Sequence, residues 1–545
     1  MLLHTPRKAC FCSISLTLWF LFFSLYPVGS ASLQLPPSPP PHQGWQAQVT
    51  FPEADPTSRI HARGRLTFRA YQGQGSLAIE NQGATGAILS VNGRTVDISP
   101  ALRQSAGRAE IDISRYTVNG INTLKVVNIM PQGSRLGIKI PYPTLTYGQP
   151  AEVGFSPEKL AKIDDLINQE VRQGFPGAVL TIVRHGKIVK HTAYGHRQKY
   201  NGSQTLVPPA AMTPDTLFDL ASNTKAFAVN LAMQKLVSEK RIALDDPLSK
   251  YLRGFRGGGR ERITIRQVLT HSAGYAPEVR FFDPKKTAGK GLYSLDRQTT
   301  QRLLHKIPLE YKPGTKTIYS DTDYILLGFL IETVTGQRLD AYVENEIYLP
   351  LGLKSTLFNP LAKGFTPDQF AATERNGNTR DFHVRFPGIR THTLLGEVHD
   401  EKAFYSLGGV SGHAGLFSRT LDLAVLSQVI LNGGGYGNYR LCDPLTLEQF
   451  TRTSDSDSHY GLGWDKNNIW EFGPYASGRA VGHSGWTGTV TCIDPEYDLA
   501  IILLTNKVHA PVDSKNHHQF TTSNFETGKY GSIMSLVYEA LLEKH

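Results

Sequence analysis

A serine hydroxyl followed three residues later by a lysine amine can make a nucleophile, and this chain carries that pair at Ser222 and again at Ser156. At Ser222-Asn223-Thr224-Lys225 the chain runs into a helical pattern. Phe227, Leu231 and Leu236 recur on one side, and Gln234, Lys235, Glu239 and Lys240 supply a polar face. Ser222 then stands at the helix start, with Lys225 one turn on and within reach of it. Serine is a poor nucleophile at neutral pH until a neighbouring base takes its proton. Unpaired N–H groups at the helix start would help hold negative charge that develops nearby. The other copy, Ser156-Pro157-Glu158-Lys159, has a structural reading. Ser156 caps a helix, Pro157 suits its first position, and Leu160, Ile163, Leu166 and Ile167 follow at helical spacing. The motif alone does not choose between the copies.

Two later clusters matter for the choice. Tyr319-Ser320-Asp321 follows the turn Lys312-Pro313-Gly314, and His483-Ser484-Gly485-Trp486-Thr487-Gly488 opens a strand near the C-terminus. Each alone has a structural reading, as a packed loop tyrosine with its hydroxyl satisfied and as a surface turn. In this order the clusters resemble Ser-x-x-Lys, Tyr-x-Asn and Lys/His-Ser/Thr-Gly, the three motifs of the serine β-lactamase and penicillin-binding-protein superfamily. The likeness is nearest to its class C β-lactamase and D-alanyl-D-alanine carboxypeptidase branch, which includes the enterobacterial type 4B penicillin-binding proteins. Pro176-Gly177-Ala178, Val268-Leu269-Thr270-His271-Ser272-Ala273-Gly274, Pro350-Leu351-Gly352-Leu353 and Gly412-His413-Ala414-Gly415-Leu416-Phe417 fall in supporting places, and the likeness runs from about Gly154 onward. It selects Ser222 and leaves Ser156 as a helix cap.

The resemblance implies an acyl-enzyme on Ser222, with Lys225 sharing its proton and Tyr319 serving the leaving group and the deacylating water. Beside Lys225 and His483, Tyr319 is expected to favour its phenolate or a shared proton. The N–H groups of Ser222 and Trp486 would form the oxyanion hole, and Gly485 would let substrate backbone approach. His483 and the Ser484 hydroxyl would face a terminal carboxylate. The implied substrates are peptidoglycan stem peptides, with β-lactams as acylating ligands and no cofactor. Asp321 stands where the best-studied members carry Asn, so when ionised it offers substrate no N–H donor. It could still orient Lys225. His483 replaces the more usual lysine, so its attraction for a carboxylate is expected to fade between pH 5 and 8. Both departures favour slow peptidase or esterase activity over potent β-lactamase activity. The alternatives are an esterase or weak class C-like β-lactamase, and a cell-wall-binding protein on a disabled hydrolase scaffold. His399-Asp400 and His413 read as too sparse for a metal site.

These residues need a scaffold, and 545 residues suggest two or three domains. A composition 40% hydrophobic and 19% charged predicts a packed protein. The net charge of +10 is scattered, which argues against nucleic-acid binding. In residues 1–31, Arg7 and Lys8 precede an uncharged run from Ala9 to Tyr26, and Gly29-Ser30-Ala31 supplies small residues for cleavage. This reads as a signal peptide, or an uncleaved anchor in the inner membrane, and either places the rest in the periplasm. Residues 32–44 form a proline-rich spacer.

Residues 45–148 alternate as a β-sandwich, with a hairpin at Asn92-Gly93. The string Val91-Asn92-Gly93, Asp112-Ile113-Ser114 and Asn119 to Val126 resembles galactose-binding-like modules, implying a carbohydrate ligand. A packing or spacer module is the plainer reading. Residues 149–545 predict an α/β domain, an antiparallel sheet flanked by helices, of the β-lactamase/transpeptidase-like class. Its strands include 178–183 and 187–189, joined at His185-Gly186, and later 488–493 and 499–505. Helices are expected at 265–269, 299–306, 323–334, 421–431 and 533–543. Cys442 and Cys492 either pair or sit as separate buried thiols.

Overall fold

The computed structural model describes residues 44–51, 64–103, 106–452 and 459–542. The expected signal segment and all of the spacer but Gly44 lie outside these residues. Among the described residues no helix is long and apolar enough to cross a membrane.

Alternation between Trp45 and Tyr147 gives each strand a buried and a wetter face. The strands form two four-stranded antiparallel sheets. One orders Ala47–Phe51, Arg135–Ile140, Ser76–Gln82 and Ala106–Asp112; the other orders Gly64–Ala70, Gly120–Met130, Gly86–Val91 and Arg94–Val96. Asn92 and Gly93 take φ of 50° and 79°, the positive values that a tight hairpin turn demands. Leu77, Ile79 and Ile138 of the first sheet share one core with Leu89, Val91 and Leu124 of the second.

The second region is built on one long sheet. Its strand order is Gln204–Ala211, Lys187–Asn201, Gly177–Arg184, Leu499–Thr505, Thr489–Asp494 and Val481–Gly485, all antiparallel, with Thr146–Tyr147 adding a short parallel pairing to the second. Both faces are covered, so the Gly177–Arg184 strand is buried throughout. Its Ala178, Leu180 and Ile182 meet the helices Pro157–Gln173 and Gly531–Glu539, while Val179 and Val183 face the larger helical core. Ser156 caps the first of these helices, its Oγ accepting from Lys159 N at 3.2 Å.

Two elements depart from expectation. The strand expected to end at Val189 runs to Asn201 and returns as Gln204–Ala211 despite Pro208 and Pro209. That strand is at the sheet edge, where a missing N–H costs little. The last helix stops at Glu539, because Leu541 turns away to bridge Phe155. Cys442 and Cys492 are separate buried thiols.

The sandwich is docked rather than tethered. Tyr71 is fully buried, its hydroxyl donating to Asp498 Oδ1 at 3.1 Å and accepting from Gln428 Nε2 at 2.8 Å. Arg69 pairs with Asp498 at 2.8 Å. A Cβ on Gly186 (φ 70°) would stand 2.4 Å from the Tyr71 ring, so the turn must be glycine to admit it. Backbone bonds from Gly44 to Asn438 and Tyr142 to Gly437, at 2.9 and 2.8 Å, fasten the far side. We predict that Tyr71→Ala lowers unfolding free energy by about 3–5 kcal/mol, the usual cost of deleting a buried aromatic ring. Chemical denaturation checks it; a loss below about 1 kcal/mol would mean that the docking contributes little.

Candidate active site

Ser222 lies on a strained turn. The short strand Phe218–Asp219 pairs with Leu416–Ser418, and Ala221 then takes φ 46°, an unusual value for a residue with a Cβ. Asp219 fixes the bend, its Oδ1 accepting from Ala221 N at 2.8 Å and its Oδ2 from His399 N at 2.6 Å. The chain next winds through a π-helical turn, Lys225–Asn230, into the helix Leu231–Ser238. The expected polar face is not polar in its surroundings. Gln234 and Lys235 are buried with the rest, and only Glu239 and Lys240 reach solvent, because sheet and helices enclose the element.

Lys225 is completely buried, and its Nζ is ringed by four oxygens. Ser222 Oγ lies at 3.0 Å, Tyr319 OH at 2.6 Å, Asp321 Oδ1 at 2.8 Å and the His413 carbonyl at 3.2 Å. An ammonium has three hydrogens, so it cannot donate to all four. A neutral amine donates twice and offers a lone pair, to which the Ser222 or Tyr319 hydroxyl can donate instead. Burial pulls the Lys225 pKa below its ordinary value, against the opposing pull of Asp321. Burial, with the Asp321 charge, pushes the Tyr319 hydroxyl well above its usual range. Of the two expectations for Tyr319, these shifts run against the phenolate, while the 2.6 Å contact with Lys225 Nζ fits the shared proton, and Lys225 is the group moved toward acting as a base.

Tyr319 and Asp321 are held by residues 271–277, which begin inside the 268–274 stretch singled out in the sequence. Ile318 N donates to the His271 carbonyl at 2.9 Å, Ser320 N to His271 Nδ1 at 3.1 Å, and Asp321 N to the Pro277 carbonyl at 2.9 Å. Asp321 begins the helix Asp321–Thr335. It was expected to contact substrate, but both its oxygens are engaged by lysines, Oδ1 by Lys225 and Oδ2 by Lys402 at 3.2 Å.

The third cluster is stitched directly to the Ser222 turn. Thr487 Oγ1 donates to the Asp219 carbonyl at 2.7 Å, Thr489 Oγ1 to the Leu220 carbonyl at 3.0 Å, and Asn223 Nδ2 to Thr489 Oγ1 at 3.1 Å. A Cβ on Gly485 would lie 2.3 Å from the Leu220 carbonyl oxygen, so only glycine lets the strand come this close. Among the described residues, the N–H groups of Ser222 and Trp486 make no intramolecular hydrogen bond, which leaves both available to an oxyanion.

A cleft of about 510 Å³ opens beside Ser222, lined by Tyr319, Tyr460, Asp465, Glu471, His483, Ser484, Trp486 and Lys507 among others. Its chemistry differs from expectation at His483. Burial, with the charge of Lys225, lowers the His483 pKa to about 4, so it is neutral throughout pH 5–8. Its Nδ1 donates to the Ser484 carbonyl at 2.7 Å. The Ser484 hydroxyl is spent on Glu471. Asp465 and Glu471 are both pushed up to about 7, chiefly by burial, so both gain or lose charge near neutrality. Lys507, lowered by burial to about 8, is the nearby cation.

The sequence left Asp400 and His413 without partners for a metal. In the structure Asp321, Asp400 and His413 bring ligand atoms within 4.8 Å of one another. Lys402 Nζ, however, lies 3.2 Å from Asp321 and 3.1 Å from Asp400, taking the place a cation would need. Lys402, Asp465, Glu471 and Lys507 escaped the sequence reading, since no motif marks them.

A family model described as "Beta-lactamase" matches residues 163–522. The chain belongs to the beta-lactamase family. An N-acetylmuramyl-L-alanine amidase of Bacillus subtilis is 52% identical over 399 residues, covering 71% of this chain and 90% of the relative. A protein of Escherichia coli strain K12 named "Putative D-alanyl-D-alanine carboxypeptidase" is 48% identical over 415 residues, covering 74% and 95%. Among solved structures, EstCE1, a hydrolase with promiscuous acyltransferase activity, superposes with a TM-score of 0.52 at 21% identity, covering 71% of this chain and 99% of its own. That likeness is one of fold.

Gly485→Ala should drive the strand from the Ser222 turn and misplace the Trp486 N–H. We predict that acylation by an activated ester falls about a hundredfold, the usual cost of an oxyanion donor, with circular dichroism unchanged. Intact mass after brief exposure to ester reads it; wild-type acylation would refute the oxyanion assignment.

Proposed function

We propose that this protein is a serine hydrolase of peptidoglycan stem peptides, acting through an acyl-enzyme on Ser222 as a D-alanyl-D-alanine carboxypeptidase acylated by β-lactams. The observation that carries the reading is the buried Lys225 amine within 3.0 Å of Ser222 Oγ and 2.6 Å of Tyr319 OH. Family membership and the names of the enterobacterial relatives support it. In this mechanism Ser222 Oγ attacks the amide carbon while Lys225 takes its proton. The tetrahedral oxygen is held by the N–H groups of Ser222 and Trp486. Tyr319, protonated at the start, passes its proton to the leaving amine and is resupplied through Lys225. A water then reverses these steps and frees Ser222. For residues 1–31 we propose export to the periplasm, where peptidoglycan lies.

A second reading has its own support. The cleft wall offers a neutral His483 and an acid pair where a carboxypeptidase would hold a terminal carboxylate. The Bacillus relative carries the name of an amidase that acts on N-acetylmuramyl-L-alanine. The same acyl-transfer machinery would then take its acyl group from the sugar side of the stem peptide.

Mass analysis of disaccharide-pentapeptide digests separates these. A carboxypeptidase releases one alanine and an amidase separates sugar from peptide; Ser222→Ala should do neither. Release by Ser222→Ala at the wild-type rate would sink both. The acid pair also sets a pH dependence. With carboxyl pKa values raised to about 7, the acid pair is uncharged below that pH, where Lys507 is the charged group of the wall, and anionic above it. We predict that KM for a carboxylate-ended peptide rises about fivefold from pH 6.5 to 8.5, roughly 1 kcal/mol of repulsion. Glu471→Gln should flatten the rise; an equally steep rise in that variant would exclude the acid pair as its cause.

A further inference from the structure

Asp321 raises a problem of charge. A carboxylate 2.8 Å from Lys225 Nζ stabilises the ammonium, yet the lysine must surrender its proton to activate Ser222. The fold answers with a second lysine. Lys402 Nζ reaches Asp321 Oδ2 at 3.2 Å, Asp400 Oδ2 at 3.1 Å and Glu278 Oε2 at 3.3 Å, with its side chain 6% exposed. It hydrogen-bonds Glu278 and is ion-paired with Asp321 and Asp400, so three carboxylates favour its charged form. Lys225 has a single carboxylate, shared with Lys402, and its other neighbours are two hydroxyls and a carbonyl.

We infer that Lys402 is a positioning residue for the acyl-transfer site: it anchors the outer oxygen of Asp321 and neutralises that carboxylate, so that Lys225 can act as a free amine. The pairing explains how Asp can stand at position 321, where Asn would need no counter-charge. Around it, Asp400 Oδ1 meets His413 Nε2 at 2.8 Å, and His413 Nδ1 meets Ser411 Oγ at 2.7 Å. The carbonyl of His413 is itself a Lys225 partner, so one network grips both lysines. Other ionisable groups face Lys225 from each side. His271 and His483 are held neutral by burial, and Asp323 is pushed well above its usual range by burial. The Tyr319 and Tyr324 rings lie 4.6 and 5.7 Å away. Glu401 adds its charge beside Lys402. Besides Lys225 itself, the lysine that offsets Asp321 is Lys402, with Asp400 opposing it.

The inference rests on the reading that Ser222 is acylated, so its test uses p-nitrophenyl acetate, whose acetyl group needs no peptide specificity. The burst of nitrophenolate from the full chain is followed from pH 5 to 10. Removing Lys402 leaves Asp321 uncompensated, favours the Lys225 ammonium and moves the acylation midpoint upward. Lys402→Met should raise it by about one pH unit and slow acylation at pH 7 about tenfold. Asp321→Asn should lower the midpoint, and Asp321→Asn with Lys402→Met should return it near wild type, because one charge of each sign is gone. A slowed rate with an unmoved midpoint would mean that Lys402 only packs, and would overturn the inference. So would a double variant no better than the single. If Lys402→Met does not fold, Asp321→Asn decides alone, and an unmoved or raised midpoint overturns the inference. A full burst from Ser222→Ala would bring down the acyl-enzyme reading, and this inference with it.

Discussion

The site depends on the burial of one amine. Lys225 is enclosed on every side, and in a medium of low polarity an ammonium is costly unless its hydrogens are matched. Four oxygens surround the nitrogen, only one of them belonging to a carboxylate, so the charge is incompletely compensated. The same burial raises Tyr319 and lowers Lys225, which favours the proton on the phenol and moves the amine toward its neutral form. Base and acid are thus assigned by environment, since lysine and tyrosine titrate at similar pH in water.

Everything else keeps that pocket closed and aligned. Thr487, Thr489 and Asn223 tie the turn that carries Ser222 to the hairpin that follows Gly485, across more than 260 residues of sequence. The strained backbone at Ala221 and the glycine at 485 are the local costs of that close approach. Behind the sheet, Tyr71 of the sandwich fills the space over Gly186 and joins Asp498 and Gln428 in a buried network. The sandwich serves as a wall of the same body, which favours its packing role.

The cleft shows how little a motif says about electrostatics. His-Ser-Gly implies a carboxylate-binding cation, yet the histidine is buried against Lys225 and stays neutral, and its serine is turned toward Glu471. Asp465 and Glu471 come from a stretch with no recognisable pattern, brought in by the bridge between Asp465 and Gly482. Charge in such a wall follows from who is buried beside whom, and the handful of groups involved are far apart in the chain.

Local pattern was enough for much of this protein. Alternation located the sandwich strands, capping residues located the helix at 157–173, and the order of three short motifs singled out Ser222, Lys225 and Tyr319 as residues to bring together. Those are properties of neighbours in sequence: period, turn chemistry and spacing. Tertiary structure alone decided the rest. It buried the Ser222 helix on all sides, carried an edge strand through two prolines, and engaged Asp321 with Lys402 and Ser484 with Glu471. Protonation was decided there too, because desolvation and charge pairing act through space, and a lysine in the plain run Asp400-Glu401-Lys402 looks solvated until the fold closes over it.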